Sequence, residues 1–375
     1  MRVFSTRESG DEEVRVMSTP FGIRFLGAVI AAGVAVAACG ANAPAASTAP
    51  STAPSASATA ATGQLPKPEL AKVRIGISAP TEVVQFAEKL ADQMGYYANN
   101  GLTVEVTGFE GDGKALQALV AGQLDMFVGG SSTAVNSVIT DTPVKIVAMN
   151  SFKMTDGLYC QKDIKTPADV KGKSVAISTF GGTSHGAALM AIQGIGLTSK
   201  DVVITQVGNE GTRIAALKGG SVACGMVSGE MNAQMVAFGF NRLIDLTTSN
   251  QQWGRSGLMA RTDFLAKNPN TVLNVLAAVV LAQNLIFADP TTATTKFIEW
   301  TTAKPDDAKS AISQFPNYGD RSMFFTEQAF IAPRDVLGSV QPAMANVDVT
   351  KAFDLSYLNK LKDMGYFTKN NIPLG

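Results

Sequence analysis

Histidine is almost missing from the 375 residues: His185 is the single one. A metal centre built from several histidines is therefore excluded, and a histidine proton relay has one residue to work with. Cysteine is scarce as well. Cys39, Cys160 and Cys224 form no C-x-x-C pair, so zinc-ribbon and thioredoxin-type readings fail. Neither sign of charge is in excess, because Lys plus Arg and Asp plus Glu each number 31. The basic surface that a general nucleic-acid binder needs to neutralise phosphates is absent, and so are an acidic tail and a polybasic membrane patch. No H-E-x-x-H or G-x-x-x-x-G-K-[ST] run occurs, which removes the signatures of zinc proteases and P-loop NTPases. What the chain does have is apolar residues, at 46%, with 35 glycines and 16 prolines. It can build a core, and its length fits two domains of ~150 residues.

The N-terminal part reads as an export signal. Residues 25–38, FLGAVIAAGVAVAA, are an apolar run of fourteen, short of the ~20 that span a membrane comfortably but suited to a signal-peptide core. The run ends Val36-Ala37-Ala38-Cys39-Gly40, small residues before a cysteine, which resembles a bacterial lipobox and implies lipidation of Cys39 and cleavage before it. Glu8, Asp11, Glu12 and Glu13 are out of place in a signal's basic head, whereas a start at Met17 gives MSTPFGIRF with Arg24. Residues 41–64 are almost entirely Ala, Pro, Ser and Thr and cannot bury enough apolar surface to offset their ordering entropy. The expected layout is a signal at 1–38, a lipidated Cys39 with a tether through 69, and then a globular body.

The body repeats itself at an offset near 100. Ile75-Gly76-Ile77-Ser78 matches Val175-Ala176-Ile177-Ser178, a short apolar strand running into a loop. Ala118-Leu119-x-Ala121-Gly122-Gln123-Leu124 matches Ala216-Leu217-x-Gly219-Gly220-Ser221-Val222, a helix end, a glycine stop and a strand. Gly157-Leu158 with Asp163 matches Gly257-Leu258 with Asp263. Helical spacing fills the intervals at 82–97, 112–121, 184–194 and 211–218. Strands alternating with helices imply mainly parallel sheets with right-handed crossovers. The pattern predicts two α/β lobes: lobe I from 70–155 plus 255–375, and lobe II from 156–254. Gly157–Ile164 and Gly257–Phe264 are expected as the two chain crossings. Residues 270–288 are apolar but carry Asn274, Gln283 and Asn284, as a packed helix does rather than a membrane span.

The run TPADVKGKSVAISTFGGTSHGAALMAIQGIGLTSKDVVI at 166–204 carries a family resemblance. Its D-V-K-G-K-x-V, Gly-rich loop, helix and G-L-x-x-x-D-V order is similar to substrate-binding proteins of ABC importers for nitrate, sulfonate and taurine. Residues 253–270, WGRSGLMARTDFLAKNPN, fit as well, and the resemblance covers about residues 70–370. It implies the type II periplasmic binding-protein fold, two lobes with a ligand cleft and a two-strand hinge that closes like a clamshell. It also implies a monomeric extracytoplasmic lipoprotein, anchored to the membrane through Cys39, that hands a small-molecule ligand to a permease driven by an ATPase subunit. A sulfonate or taurine-like ligand leads. A thiamine-type pyrimidine or another small heterocycle is the alternative. A related pyrimidine-forming enzyme uses a cysteine-rich run and a reactive histidine, whereas residues 221–231 offer Cys224 alone. The reading is therefore a binding protein and not an enzyme, with no metal and no cofactor.

Ligands of open α/β sheets sit beyond the carboxyl ends of the strands. Four loops meet that description. The first holds Ser78 and Thr81, the second Gly130, Ser131 and Ser132, the third Thr179, Phe180, Gly182, Thr183, Ser184 and His185, and the fourth Ser228 and Glu230. Glycines permit close backbone approach and hydroxyls supply donors. Gly181-Gly182-Thr183-Ser184 opens a helix, which makes either an anion cradle or an ordinary cap. His185 follows, where taurine-type relatives carry a Ser/Thr-His pair, but Gly186 replaces the aromatic residue usual next to it. Trp253 and Arg255 border the cleft, Arg255 either holding an acidic head group or lying solvated on the surface. Arg213 is a further candidate. Glu230 disfavours a simple anion and suits an amine or aminopyrimidine, unless it only complements a helix dipole. Cys160 and Cys224 are either bridged or two buried thiols.

Overall fold

The computed structural model describes residues 64–374. The segment expected to be a signal, Cys39 and most of the expected tether lie outside the described residues. The last stretch of the expected tether is bonded to the body: Asn274 Nδ2 donates to Pro66 O at 2.7 Å, and Glu69 accepts from the Asn270 and Thr271 backbone N–H groups.

Ten strands form two five-stranded sheets. They are β1 (Lys72–Ile77), β2 (Thr103–Gly108), β3 (Met126–Gly129), β4 (Val144–Ser151), β5 (Asp156–Cys160), β6 (Ser174–Ile177), β7 (Val203–Gln206), β8 (Cys224–Ser228), β9 (Asn241–Asp245) and β10 (Ser256–Arg261). The sheet orders are β2-β1-β3-β10-β4 and β7-β6-β8-β5-β9. Adding five to each strand number of the first sheet gives the second, with β5 taking the place of β10. The fold is thus the duplication seen in the sequence. In each lobe the first three strands run parallel and the fourth neighbour runs antiparallel.

The antiparallel strand corrects one expectation. Residues 157–160 and 257–261 are not the crossings but the β5 and β10 strands, each inserted between two neighbours and buried on both faces. Their apolar runs require that cover. The crossings are the short segments just before them, 152–155 and 251–255. They lie side by side, with the Trp253 N–H donating to Phe152 O at 2.8 Å. The fold is a two-lobed α/β fold with paired crossings.

On lobe I the Pro269–Ala288 helix packs as a core element. Among the described residues it alone is long and apolar enough to cross a membrane, and 72% of its most apolar stretch is buried within the protein. Its internal polar groups are used: Gln283 Nε2 donates to Asn150 O at 2.8 Å and to Asp320 O at 2.9 Å. Such pairing is what makes a buried amide tolerable.

Cys160 and Cys224 face one another across the β5–β8 ladder and form a disulfide. The sequence places them 64 residues apart, and only the unforeseen pairing of β5 with β8 brings them together.

Glu88 is a buried exception in the lobe I core. Asn150 Nδ2 donates to its carboxyl oxygens at 3.1 and 3.4 Å, but burial dominates and pushes its pKa up from 4.5 to about 7. Folding therefore favours the protonated form, an advantage present below pH 4.5 and lost as the pH rises through about 7. Glu88 alone should lower stability by about 3 kcal/mol across that window. Glu88→Gln should flatten this part of the pH dependence and be the more stable protein above pH 7, as read from denaturant melts at several pH values.

Candidate ligand-binding site

The ends of β1, β2, β6 and β7, with the crossings, enclose a cavity of about 160 Å³. Of the residues singled out from the sequence, Ser78, Thr81, Thr183, Ser184, Arg213 and Arg255 line it. So do Glu82, Asp112, Asp156 and Glu210, which the sequence reading passed over. A signal for two of these existed. Asp112 and Glu210 occupy matching positions at the repeat offset of 98, each in the first turn of a helix (Asp112–Val120 and Glu210–Lys218). They also bond alike. Asp112 Oδ2 accepts from the Gly130 N–H at 3.4 Å, and Glu210 Oε1 from the Ser228 N–H at 2.6 Å, again 98 residues apart.

Both arginines are already engaged by the protein. Arg255 is not a solvated surface residue but 5% exposed. Its guanidinium donates to Glu82, and Nε donates to Asp156 Oδ2 at 3.1 Å. Burial works against its charge, but Asp156 and Glu82 outweigh burial and raise its pKa. Arg213 Nε donates to Met226 O at 2.7 Å and its NH1 to Gly208 O at 2.9 Å. Burial, opposed by Arg255 and reinforced by Glu210 and Asp156, raises Glu82 to about 8. The cavity wall thus carries four carboxyl groups against two arginines, each of which already gives two hydrogen bonds to the protein.

The remaining expected features depart from the sequence reading, and most of the residues concerned do not line this cavity. The start of the Thr183–Gly194 helix does not stand open as an anion cradle, because Asp112 Oδ2 accepts from Thr183 N at 3.0 Å and Thr183 Oγ1 at 2.7 Å. Thr179 Oγ1 accepts from the Gly113 N–H at 3.2 Å, a second bond between the lobes. Ser131 Oγ donates to Gly254 O at 2.9 Å, and Ser132 is fully buried beside Gly186. Trp253 is fully buried too, its ring filling the space that the missing side chain of Gly186 leaves. Phe180 and His185 face a separate surface groove, packed edge to face. His185 Nδ1 accepts from the Gly181 N–H at 3.1 Å, and burial lowers its pKa to about 4, so it is neutral. Glu230 lines another groove beside Asp306 and Asp307, and burial, reinforced by Glu82 and Glu210, raises its pKa well above the usual range.

Gly182-Thr183-Ser184-His185-Gly186 has the G-x-S-x-G spacing of a nucleophile elbow. Its hydrogen bonds point elsewhere. Ser184 Oγ pairs with Ser178 N at 2.7 Å and Ser178 Oγ at 2.6 Å, and His185 is turned to Gly181. Among the described residues no base is hydrogen-bonded to Ser184, which instead ties the loop after β6 to the first turn of the helix.

The lobes touch through bare glycines. A Cβ on Gly130 would lie 2.0 Å from Thr183 Oγ1, and one on Gly111 would lie 2.7 Å from Ser178 Cβ. Gly130→Val should hold the lobes apart. Small-angle scattering would read this as a larger radius of gyration, and apparent ligand affinity would fall by about tenfold or more, since only molecules able to close bind tightly.

Comparison with known proteins places this geometry. The NMT1/THI5-like family model matches residues 87–293. A candidate binding protein of Brucella abortus is 25% identical over 211 residues, spanning 54% of this chain and 63% of that protein. A structure from Bordetella bronchiseptica superposes with TM-score 0.71 at 21% identity, covering 80% of this chain and 99% of the other. The alkanesulfonate-binding protein SsuA of Xanthomonas axonopodis, bound to MOPS, follows at TM-score 0.65 and 17% identity, with 76% and 99% covered. The fold is not confined to binders, because the desulfurization enzyme DSZB also superposes, at TM-score 0.57 and 14% identity, over 78% of this chain and 99% of its own. By its family match and its duplicated two-lobe fold, the chain belongs to the NMT1/THI5-like family.

Proposed function

We propose that the protein is the extracytoplasmic solute-binding component of an ABC importer, tethered through a lipidated Cys39, and that its ligand is a small molecule rich in N–H donors or positively charged. The observation that carries the ligand class is the cavity wall, where Glu82, Asp112, Asp156 and Glu210 face Arg213 and Arg255 and both arginines are bonded to protein acceptors. A sulfonate would meet four acidic side chains and two guanidiniums already bonded to protein acceptors. An aminopyrimidine or an amine would find carboxylates able to form charge-assisted hydrogen bonds. Of the two ligand classes expected from the sequence, the cleft thus favours the heterocycle over the sulfonate or taurine-like molecule. The volume of about 160 Å³, below the ~300–1,000 Å³ of sites for drug-sized molecules, calls for a ligand of one ring or less. Closure of the lobes around it would shift the population toward the form that docks on the permease, with ATP used by a separate subunit and no chemistry on the ligand.

A thermal-shift panel on the purified protein tests this. 4-Aminopyrimidine or a small primary amine at 100 times its dissociation constant should stabilise by about 2.7 kcal/mol, several degrees, and Glu210→Gln should abolish the shift. A shift with methanesulfonate or taurine, and none with the nitrogen bases, would refute the proposed ligand class.

A further inference from the structure

We infer that Asp112 is the specificity-determining residue of this cleft. Its carboxylate fills, from inside the protein, the place between two helix N-termini where an oxyanion would otherwise be held, and so excludes anionic solutes. The inference rests on the interlobe cavity being the ligand site.

The donors converge on a single oxygen. Asp112 Oδ2 accepts from Thr133 Oγ1 at 2.7 Å and Gly130 N at 3.4 Å in lobe I, and from Thr183 Oγ1 at 2.7 Å and Thr183 N at 3.0 Å in lobe II. These groups belong to the first turns of the Ser131–Ile139 and Thr183–Gly194 helices, so two positive dipole ends point at one carboxylate. Two hydroxyls and two backbone N–H groups around one buried oxygen make the donor set of an oxyanion receptor. Asp112 itself is 4% exposed. The approach depends on backbone without side chains. A Cβ on Gly129 would stand 3.3 Å from the carboxylate, and Gly111, at φ +100°, turns the chain into the site where other residues would be strained.

The matching residue of the other lobe shows that the device is particular to Asp112. Glu210 holds Ser228 within its own lobe and has no hydrogen bond to lobe I among the described residues. Without the Asp112 carboxylate the same four donors would stand unpaired, and the wall would lose one negative charge. A small tetrahedral oxyanion matches both changes.

The test compares Asp112→Gly and Asp112→Asn with the wild type in calorimetric titrations with methanesulfonate and inorganic sulfate, fold being checked by circular dichroism. Asp112→Gly should gain affinity for the oxyanions by about tenfold or more. Asp112→Asn, which still fills the space, should gain none. A folded Asp112→Gly without the gain overturns the inference, as does a wild type that binds methanesulfonate equally well. If Asp112→Gly does not fold, Asp112→Ser is read the same way, and failure of both to fold would show that Asp112 holds the fold and would overturn the inference. A wild type that ignores 4-aminopyrimidine and amines, beside an Asp112→Gly that gains methanesulfonate, refutes the proposed ligand class and upholds the role of Asp112. The opposite pair of results does the reverse.

Discussion

Arg255→Ala should cost about 3–5 kcal/mol of stability, the usual effect of removing one member of a buried ion cluster, here leaving Asp156 buried without its guanidinium partner and Glu82 without its donor. Glu82 and Asp156 are 3% and 2% exposed, so solvent reaches them only through the cavity they line. The cluster also ties the crossings to both lobes. Glu82 follows β1 of lobe I, Asp156 opens β5 of lobe II, and Arg255 immediately precedes β10, its backbone N–H donating to Ser151 O at 3.1 Å. Differential scanning calorimetry would read the loss as a fall in melting temperature of roughly 10 °C. The triple variant Arg255→Ala, Glu82→Gln, Asp156→Asn should recover most of it, because no uncompensated charge remains. Should Arg255→Ala melt like the wild type and lose only ligand binding, Arg255 would be a ligand-binding arginine and the assignment of its charge to the protein would be wrong.

Removing the Cys160–Cys224 bond should cost about as much. Closing a loop of 64 residues stabilises by about 4 kcal/mol in the chain-entropy description. Cys160→Ala with Cys224→Ala, or reduction of the wild type, should therefore lower the melting temperature by roughly 10 °C. The loss should appear in lobe II, where the bond joins β5 to β8. Both sulfur atoms belong to residues with no exposed surface, so reduction should be slow unless the lobe opens. Equal melting temperatures with and without dithiothreitol would contradict this account.

The division between what the sequence disclosed and what it hid follows a physical line. The duplication was legible because strand, glycine stop and helix recur with local signatures, as in Ala118–Leu124 against Ala216–Val222. Two of the four loops expected beyond the strand ends supply lining residues, Ser78 and Thr81 from one and Thr183 and Ser184 from the other, with Arg255 from the second crossing, whereas Gly130, Ser131, Ser132, Ser228 and Glu230 do not line that cavity. The placement of β5 and β10 was not legible, because insertion between two neighbours is a property of the sheet and not of the strand. The disulfide stayed open on that account. The acids were hidden more deeply. Asp112 and Glu210 look like ordinary first-turn residues that complement a helix dipole, and nothing local tells that Asp112 reaches the opposite lobe. Thr183 showed the converse: its helix start promised an anion site, and the partner that fills it lies 71 residues away in the chain.

On the proposed reading, this cleft receives N–H donors and not anions. A crystal structure of the protein with the compound that stabilises it most tests that claim directly. Ligand nitrogens should lie within hydrogen-bonding distance of the Asp156, Glu210 or Glu82 carboxyl groups, with Arg255 still bonded to Glu82 and Asp112 still bonded to Thr183. An anionic group lodged at the Thr183 backbone N–H, or an arginine turned away from its protein partners to meet it, would contradict the account.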